Sequence, residues 1–202
     1  MEWLIGKSDP VFWKEYTDTF SGTQSKTDDG ARFVVFDCQK TGLDWKNDSI
    51  LSIGCVGIIN NELIVNDYLE LYIDQRGNTT TTVHINPTIS GQVVRYTELE
   101  AISKFLDYIK NAYLVGLNTN LDIEMINQVL KRNGLGKLKN IILDVNVMHN
   151  LKKKISYDSS SSLEELCDMY NLTKNHRQNT SGNAYLIGLL FLKLAKHVKL
   201  DY

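Results

Sequence analysis

Little in this chain points outside the cell or into a membrane. Only three cysteines occur, Cys38, Cys55 and Cys167, an odd number with no Cys-x-x-Cys spacing. That excludes a disulfide framework and a zinc site built on cysteine pairs, and it predicts buried thiols in a reducing compartment. No apolar run approaches the roughly 18 residues of a membrane span, so no membrane segment is expected. The opening MEWLIGKSDP lacks a charged stretch followed by a long apolar one. A cytoplasmic protein is therefore the expectation. A coat of one charge sign is missing too, because 22 basic and 24 acidic residues give a formal net charge of −2. Nucleic acid can then be met only by a local patch, not by the whole surface. No internal repeat is visible.

What is present is the composition of a packed core. Hydrophobic residues make up 43% of the 202 positions and charged residues 23%, which suits one domain of ordinary size. Residues 1–30 stand apart from the rest. Ser8 and Asp9 before Pro10 form a helix-start pattern, and Phe12, Trp13, Tyr16 and Phe20 recur at helical spacing. A polar, glycine-flanked linker follows at 21–30. The expectation is a helical appendage, 1–30, that docks on the main domain, 31–202, or on a partner.

The main domain reads as alternating strands and helices. RFVVFD (32–37) is an apolar run of the kind buried on both faces. Residues 49–59 and 63–73 read as two strands joined by Asn60-Asn61, an antiparallel hairpin. Residues 74–91 read as a loop. Thr97 with Glu100 and Ser162 with Glu165 are capping boxes. Residues 113–116 and 140–144 read as short strands, and 121–132 as a helix closed by Asn133-Gly134. A last helix is expected to start near Gly182-Asn183, with Asn183 as its N-cap. The pattern predicts an α/β fold: a mixed sheet of about five strands with helices on its faces.

Three short stretches carry candidate chemistry. The first strand runs into Asp37-Cys38-Gln39-Lys40-Thr41-Gly42-Leu43-Asp44. In a strand, residues two apart share a face, so Asp37 and Gln39 point together. Further along come Gly116-Leu117-Asn118-Thr119-Asn120-Leu121-Asp122, and then Gln178 followed by Ser181-Gly182-Asn183. In order, spacing and context these resemble the three motifs of the DnaQ-like (DEDDh) 3′–5′ exonuclease superfamily. The resemblance spans roughly residues 32–194. It implies a ribonuclease-H-like mixed β-sheet flanked by α-helices. It also implies catalytic positions at Asp37, Gln39, Asp122, Gln178 and Asn183, and a substrate-binding loop at Lys40, Thr41, Gly42 and Leu43, with Asn118.

The departures from the family pattern matter most. In the family, four carboxylates hold two divalent ions about 4 Å apart, and a histidine deprotonates the attacking water. Here Asp37 and Asp122 remain, whereas Gln39, Asn183 and Gln178 stand in place of a glutamate, an aspartate and the histidine. Magnesium is a hard cation that prefers charged oxygens. The resemblance therefore implies at most one Mg²⁺ or Mn²⁺, on Asp37 and Asp122, or none. An amide has no basic pKa to offer, so Gln178 cannot act as the base. His176 replaces the histidine only if its loop shifts register. Asp44 and Asp48 read as surface loop, and Glu124 as facing away from Asp122. His84 and His149 read as loop or strand residues outside the chemistry.

Two features bear on partners. Lys131, Arg132, Lys137, Lys139, Lys152, Lys153 and Lys154 form a basic run that faces either phosphate or only water. Lys40 lies where substrate phosphates run in the family; it reads either as an ordinary exposed lysine or as a fixed positive charge in place of a metal. The leading expectation is a degenerate exonuclease that binds a single-stranded 3′ end or a protein partner. An active metal-dependent exonuclease with an altered site, and a protein-interaction module without nucleic-acid binding, stand as alternatives. The sequence specifies neither DNA over RNA nor an oligomeric state.

Overall fold

The computed structural model describes residues 9–21, 31–74, 94–157, 159–174 and 179–196. Helix α1 (Val11–Asp18) leads to strands β1 (Phe33–Lys40), β2 (Ile50–Ile59), β3 (Glu62–Ile73) and β4 (Arg95–Tyr96). Then come α2 (Glu98–Ile109), β5 (Tyr113–Gly116), α3 (Asn120–Arg132), β6 (Ile142–Asp144), α4 (Val145–Lys153), α5 (Leu163–Met169) and α6 (Thr180–Ala195). The strands form one six-stranded sheet in the order β4-β3-β2-β1-β5-β6. β1, β2 and β3 are antiparallel neighbours, whereas β5 and β6 run parallel to β1. The expected hairpin is there, with Asn60 and Asn61 both at positive φ, 53° and 60°. That conformation matches the right-handed twist of the flanking strands.

One face of the sheet carries Val34, Phe36, Cys38, Ile53, Cys55, Leu71 and Ile73, covered by α1, α2 and α3. The other carries Phe33, Val35, Val56 and Ile58, covered by α4, α5 and α6. Cover on both faces explains the near-continuous apolar run of β1. Phe36 is 1% exposed, a burial that stabilises the fold by about 1.5–3 kcal/mol. The three cysteines are free and buried.

The N-terminal helix docks on the domain. Trp13 and Tyr16 enter the core, and the Tyr16 hydroxyl donates to Asn140 Oδ1 at 2.7 Å and accepts from the Lys139 amide at 2.7 Å. Burial pushes the Tyr16 phenol up to about 12, which keeps it a donor at any ordinary pH.

Some expectations need correction. The sheet has six strands, not five, because Arg95–Tyr96 pairs in parallel with the end of β3. Two residues are too short to show strand periodicity. His149 lies in α4, not in a loop or strand; it is 2% exposed, with Nδ1 2.9 Å from the Tyr170 hydroxyl. Burial, with Lys153 and Lys152 nearby, holds its imidazole below the usual range. The helix was hidden because its buried face includes Asn146, His149 and Asn150, which break the apolar stripe. Gln178, His176 and His84, with most of the expected 74–91 loop, lie outside the described residues.

Candidate functional site

The parallel strands β1, β5 and β6 end on one side of the sheet, and the chain reverses its strand order between β1 and β5. Crevices of this kind, beyond the carboxyl ends of strands, are where open α/β sheets bind ligands. Among the described residues, those of the sequence motifs converge there.

Asp37 lies opposite Gly54 and Gln39 opposite Ser52, while Gly54 and Ser52 lie opposite Glu70 and Tyr72. These six residues share the face under α6. A Cβ at Gly54 would come 2.1 Å from the Ser181 backbone nitrogen, so only glycine lets α6 sit this low. The first turn of α6 consequently rests on the strand ends. Asn183 Nδ2 donates to Asp37 Oδ2 at 3.0 Å, Thr180 Oγ1 bonds Ser52 Oγ, and Ser52 Oγ lies 3.5 Å from Gln39 Oε1. The helix starts at Thr180, earlier than expected, and its N-cap is Asn179, whose Oδ1 accepts from the Gly182 amide at 2.9 Å. Asn183 is thus free of capping duty and turned onto Asp37.

On the other side, Lys40 continues the alternation of Val34, Phe36 and Cys38 and points toward α3. Its ammonium makes an ion pair with Asp122 Oδ1, the two side chains being 19% and 5% exposed. Burial pushes the Asp122 carboxyl up to about 6, against the pull of Lys40, with Asp37 and Asp144 adding to the rise. For Lys40, burial opposes the charge, but Asp122 together with Cys38 and Asp37 outweighs it and holds the ammonium above its ordinary range. Asp37 and Asp122 therefore both face donors from within the chain.

The loop after β1 is shaped by Asp48. Its carboxylate accepts from Thr41 Oγ1 at 2.7 Å and from the Asp44 amide at 2.8 Å, and it fills the space beside Gly42. Leu43 is left 82% exposed at the rim. At the far rim, Asp144 accepts from the amides of Asn118, Thr119 and Asn146 at 3.2, 2.7 and 2.8 Å. It thereby fixes the start of α3, which carries Asp122, and caps α4. The Asn118 side chain is bonded to Ser160 and Ser161.

Glu70 went unseen at the sequence level. Its Oε2 accepts from the Ser181 amide at 2.7 Å, placing a carboxylate at the positive end of the α6 dipole. Burial raises its pKa, while bonds from Ser181 and Thr180 pull it down. The signal available was an acidic residue in the buried half of an alternating strand.

An exonuclease family model, RNase_T, matches residues 34–178, well over half of the chain. The chain belongs to this exonuclease family. The exonuclease-family chain is 28% identical over 170 residues to a DNA polymerase III PolC-type protein of Caldanaerobacter subterraneus subsp. tengcongensis, covering 83% of this chain and 12% of that protein. It is 29% identical over 175 residues to a DNA polymerase III subunit epsilon of Buchnera aphidicola, covering 80% of this chain and 71% of that one. It thus spans only about an eighth of that PolC-type relative. Among solved structures, E. coli exonuclease I with a dT13 oligonucleotide superposes with a TM-score of 0.62 at 10% identity, over 82% of this chain and 41% of that one. At such identity the likeness concerns the fold, a ribonuclease-H-like mixed sheet flanked by helices.

Members of this family generally use divalent metal ions. Among the described residues the donor set does not fit a metal pair. Among the described residues no group of three His, Cys, Asp or Glu is placed to hold an ion. One ion would have to displace Lys40 from Asp122 or the Asn183 amide from Asp37.

Proposed function

We propose that this domain holds the 3′ end of a single nucleic-acid strand without hydrolysing it, with the Lys40 ammonium serving in place of a bound metal. The Lys40–Asp122 ion pair carries this reading. Two divalent ions on four carboxylates make a neutral site. Asp37 and Asp122 against one lysine leave a single net negative charge, which a phosphate tolerates far better than the bare charge of an empty four-carboxylate site. Lys40 retains N–H groups beyond the one on Asp122, and a phosphate oxygen can accept from them. Gln39 offers amide N–H groups that a carboxylate lacks. The polymerase relatives favour DNA as the strand.

The test is a Mn²⁺ titration with a 3′-labelled single-stranded oligonucleotide, following label release and binding together. The expected result is salt-sensitive binding that persists in EDTA, with no release. Release that disappears in Asp37→Ala would make the domain an active exonuclease with an altered site. Neither release nor binding would favour a protein-interaction role.

A further inference from the structure

The rim beyond Asn118 carries a surface that the proposed 3′-end site does not use. Tyr157 is 65% exposed, Ile155 45% and Leu151 43%, in a continuous stretch that leaves the end of α4. Lys152, Lys153 and Lys154 lie within it, and over residues 151–158 they face only one acid in sequence, Asp158. Lys152 is drawn over the Tyr170 ring, 5.2 Å from its centroid, while Lys153 and Lys154 are exposed.

This stretch is not a loose loop. Lys154 takes the left-handed conformation, φ 57°, and turns the chain out of the helix; the Ile155 amide closes the turn on Asn150 O at 3.1 Å. A lysine bears some cost in that conformation, so the turn is held by its surroundings. Asn150, fully buried, donates to Tyr157 O at 3.3 Å and Ser159 O at 2.7 Å. Asn146, 5% exposed, donates to Ser159 O at 2.6 Å and accepts from the Ser161 amide at 3.1 Å. Asn118 then ties Ser160 and Ser161 to the start of α3. Two buried asparagines and one at the cleft thus fix a short segment whose outward side chains are a tyrosine and an isoleucine. Ser160 touches Asn118, and Tyr157 lies within ~11 Å of Ser160 along the chain at full extension.

We infer that Tyr157 and Ile155, with Lys153 and Lys154, form a stacking shelf for the bases of a single strand that enters the cleft, a few nucleotides upstream of its 3′ end. Every base has a π-face, so a tyrosine on a rigid support binds single strands with little sequence preference. The flanking lysines meet the phosphates on either side. The exposed tyrosine ring gives bases a face to stack on, and beside the lysines it favours nucleic acid over a purely apolar protein partner. The shelf rests on the strand-binding reading proposed above and extends it from one nucleotide to several.

The experiment measures fluorescence anisotropy of the full chain with 5′-labelled oligo-dT of two and eight nucleotides, in EDTA, for the wild type, Tyr157→Ala and Tyr157→Trp. Tyr157→Ala is expected to weaken the eight-mer roughly tenfold or more, to leave the dinucleotide unchanged, and to be rescued by Tyr157→Trp. Circular dichroism keeps loss of fold apart from loss of binding. Equal eight-mer affinity for wild type and Tyr157→Ala would overturn the shelf while leaving the 3′-end site intact. No binding of either oligonucleotide by the wild type would overturn both. A change in sedimentation mass in Tyr157→Ala would mark the surface as a protein contact and overturn the shelf alone.

Discussion

Strand β1 carries an ion pair at each end, and the two are built differently. At its start, Arg32 holds both Asp67 oxygens at 3.2 and 3.0 Å, donates to Tyr108 O at 2.9 Å and lies 4.8 Å over the Tyr108 ring. The Tyr108 hydroxyl closes the circuit on Asp67 O at 2.9 Å. Those side chains are 29% and 25% exposed, so water shares the load. At the other end, a lone ammonium meets a carboxylate that is 5% exposed and raised toward neutrality by its burial. The first pair is many-sided and solvated, as structural pairs are. The second is dry and thinly satisfied, a pattern found where buried charge serves a functional site rather than the fold.

Removing one partner from each pair should separate them. Lys40→Met leaves Asp122 buried without its counter-ion and should destabilise the domain by about 3–5 kcal/mol in urea unfolding at pH 8. The loss should shrink as pH falls from 8, because without the pull of Lys40 the Asp122 carboxyl takes up its proton more readily than in the wild type, where it already stands at about 6. A loss under 1 kcal/mol at pH 8 would mean that water reaches Asp122 freely. The next effect concerns metal. Combining Lys40→Thr, Gln39→Glu and Asn183→Asp returns the carboxylates and removes the competing cation. Mn²⁺ at one hundred times its Kd should then stabilise the variant by about 2.7 kcal/mol and give a calorimetric binding signal, with neither seen in the wild type. Arg32→Met, at the solvated end, should cost only about 1–2 kcal/mol, measured by the same urea unfolding.

The smallest effect sharpens the comparison with a third carboxylate. Glu70 is raised by burial, so the folded state holds its proton where the unfolded chain has released it. Stability from this group is present at low pH and falls as pH rises from the ordinary glutamate range through its folded value. Glu70→Gln keeps an acceptor for the Ser181 amide and should remove that part of the slope in thermal melts between pH 4 and pH 8. An unchanged slope would assign it to other groups.

Much of this arrangement was legible in the sequence. Asp37, Gln39 and Asp122 could be placed because strand period and motif spacing are local properties. The hairpin was readable from Asn60-Asn61, and two capping boxes from their own residues. Lys40 was noticed for its position, but its pairing with Asp122 spans 82 residues and depends on how α3 crosses the strand end. Glu70 and Asp144 are illegible for the same reason, since each acts on the backbone of an element distant in sequence, whereas Asp48 reads as surface loop and is found holding that loop through Thr41 and the Asp44 amide. The start of α6 was misplaced because Asn179 and Asn183 are equally good caps by type, and only the backbone at Asn179, φ −155° and ψ 176°, decides between them.

Gly54 has a consequence for motion. With Ser181 resting directly on β2, α6 has no clearance through which to rock, and the separation of Asn183 from Asp37 is set by hard contact. That half of the cleft is a fixed jaw. In that half the Asn183 amide and the Asp37 carboxylate are already in position before anything binds.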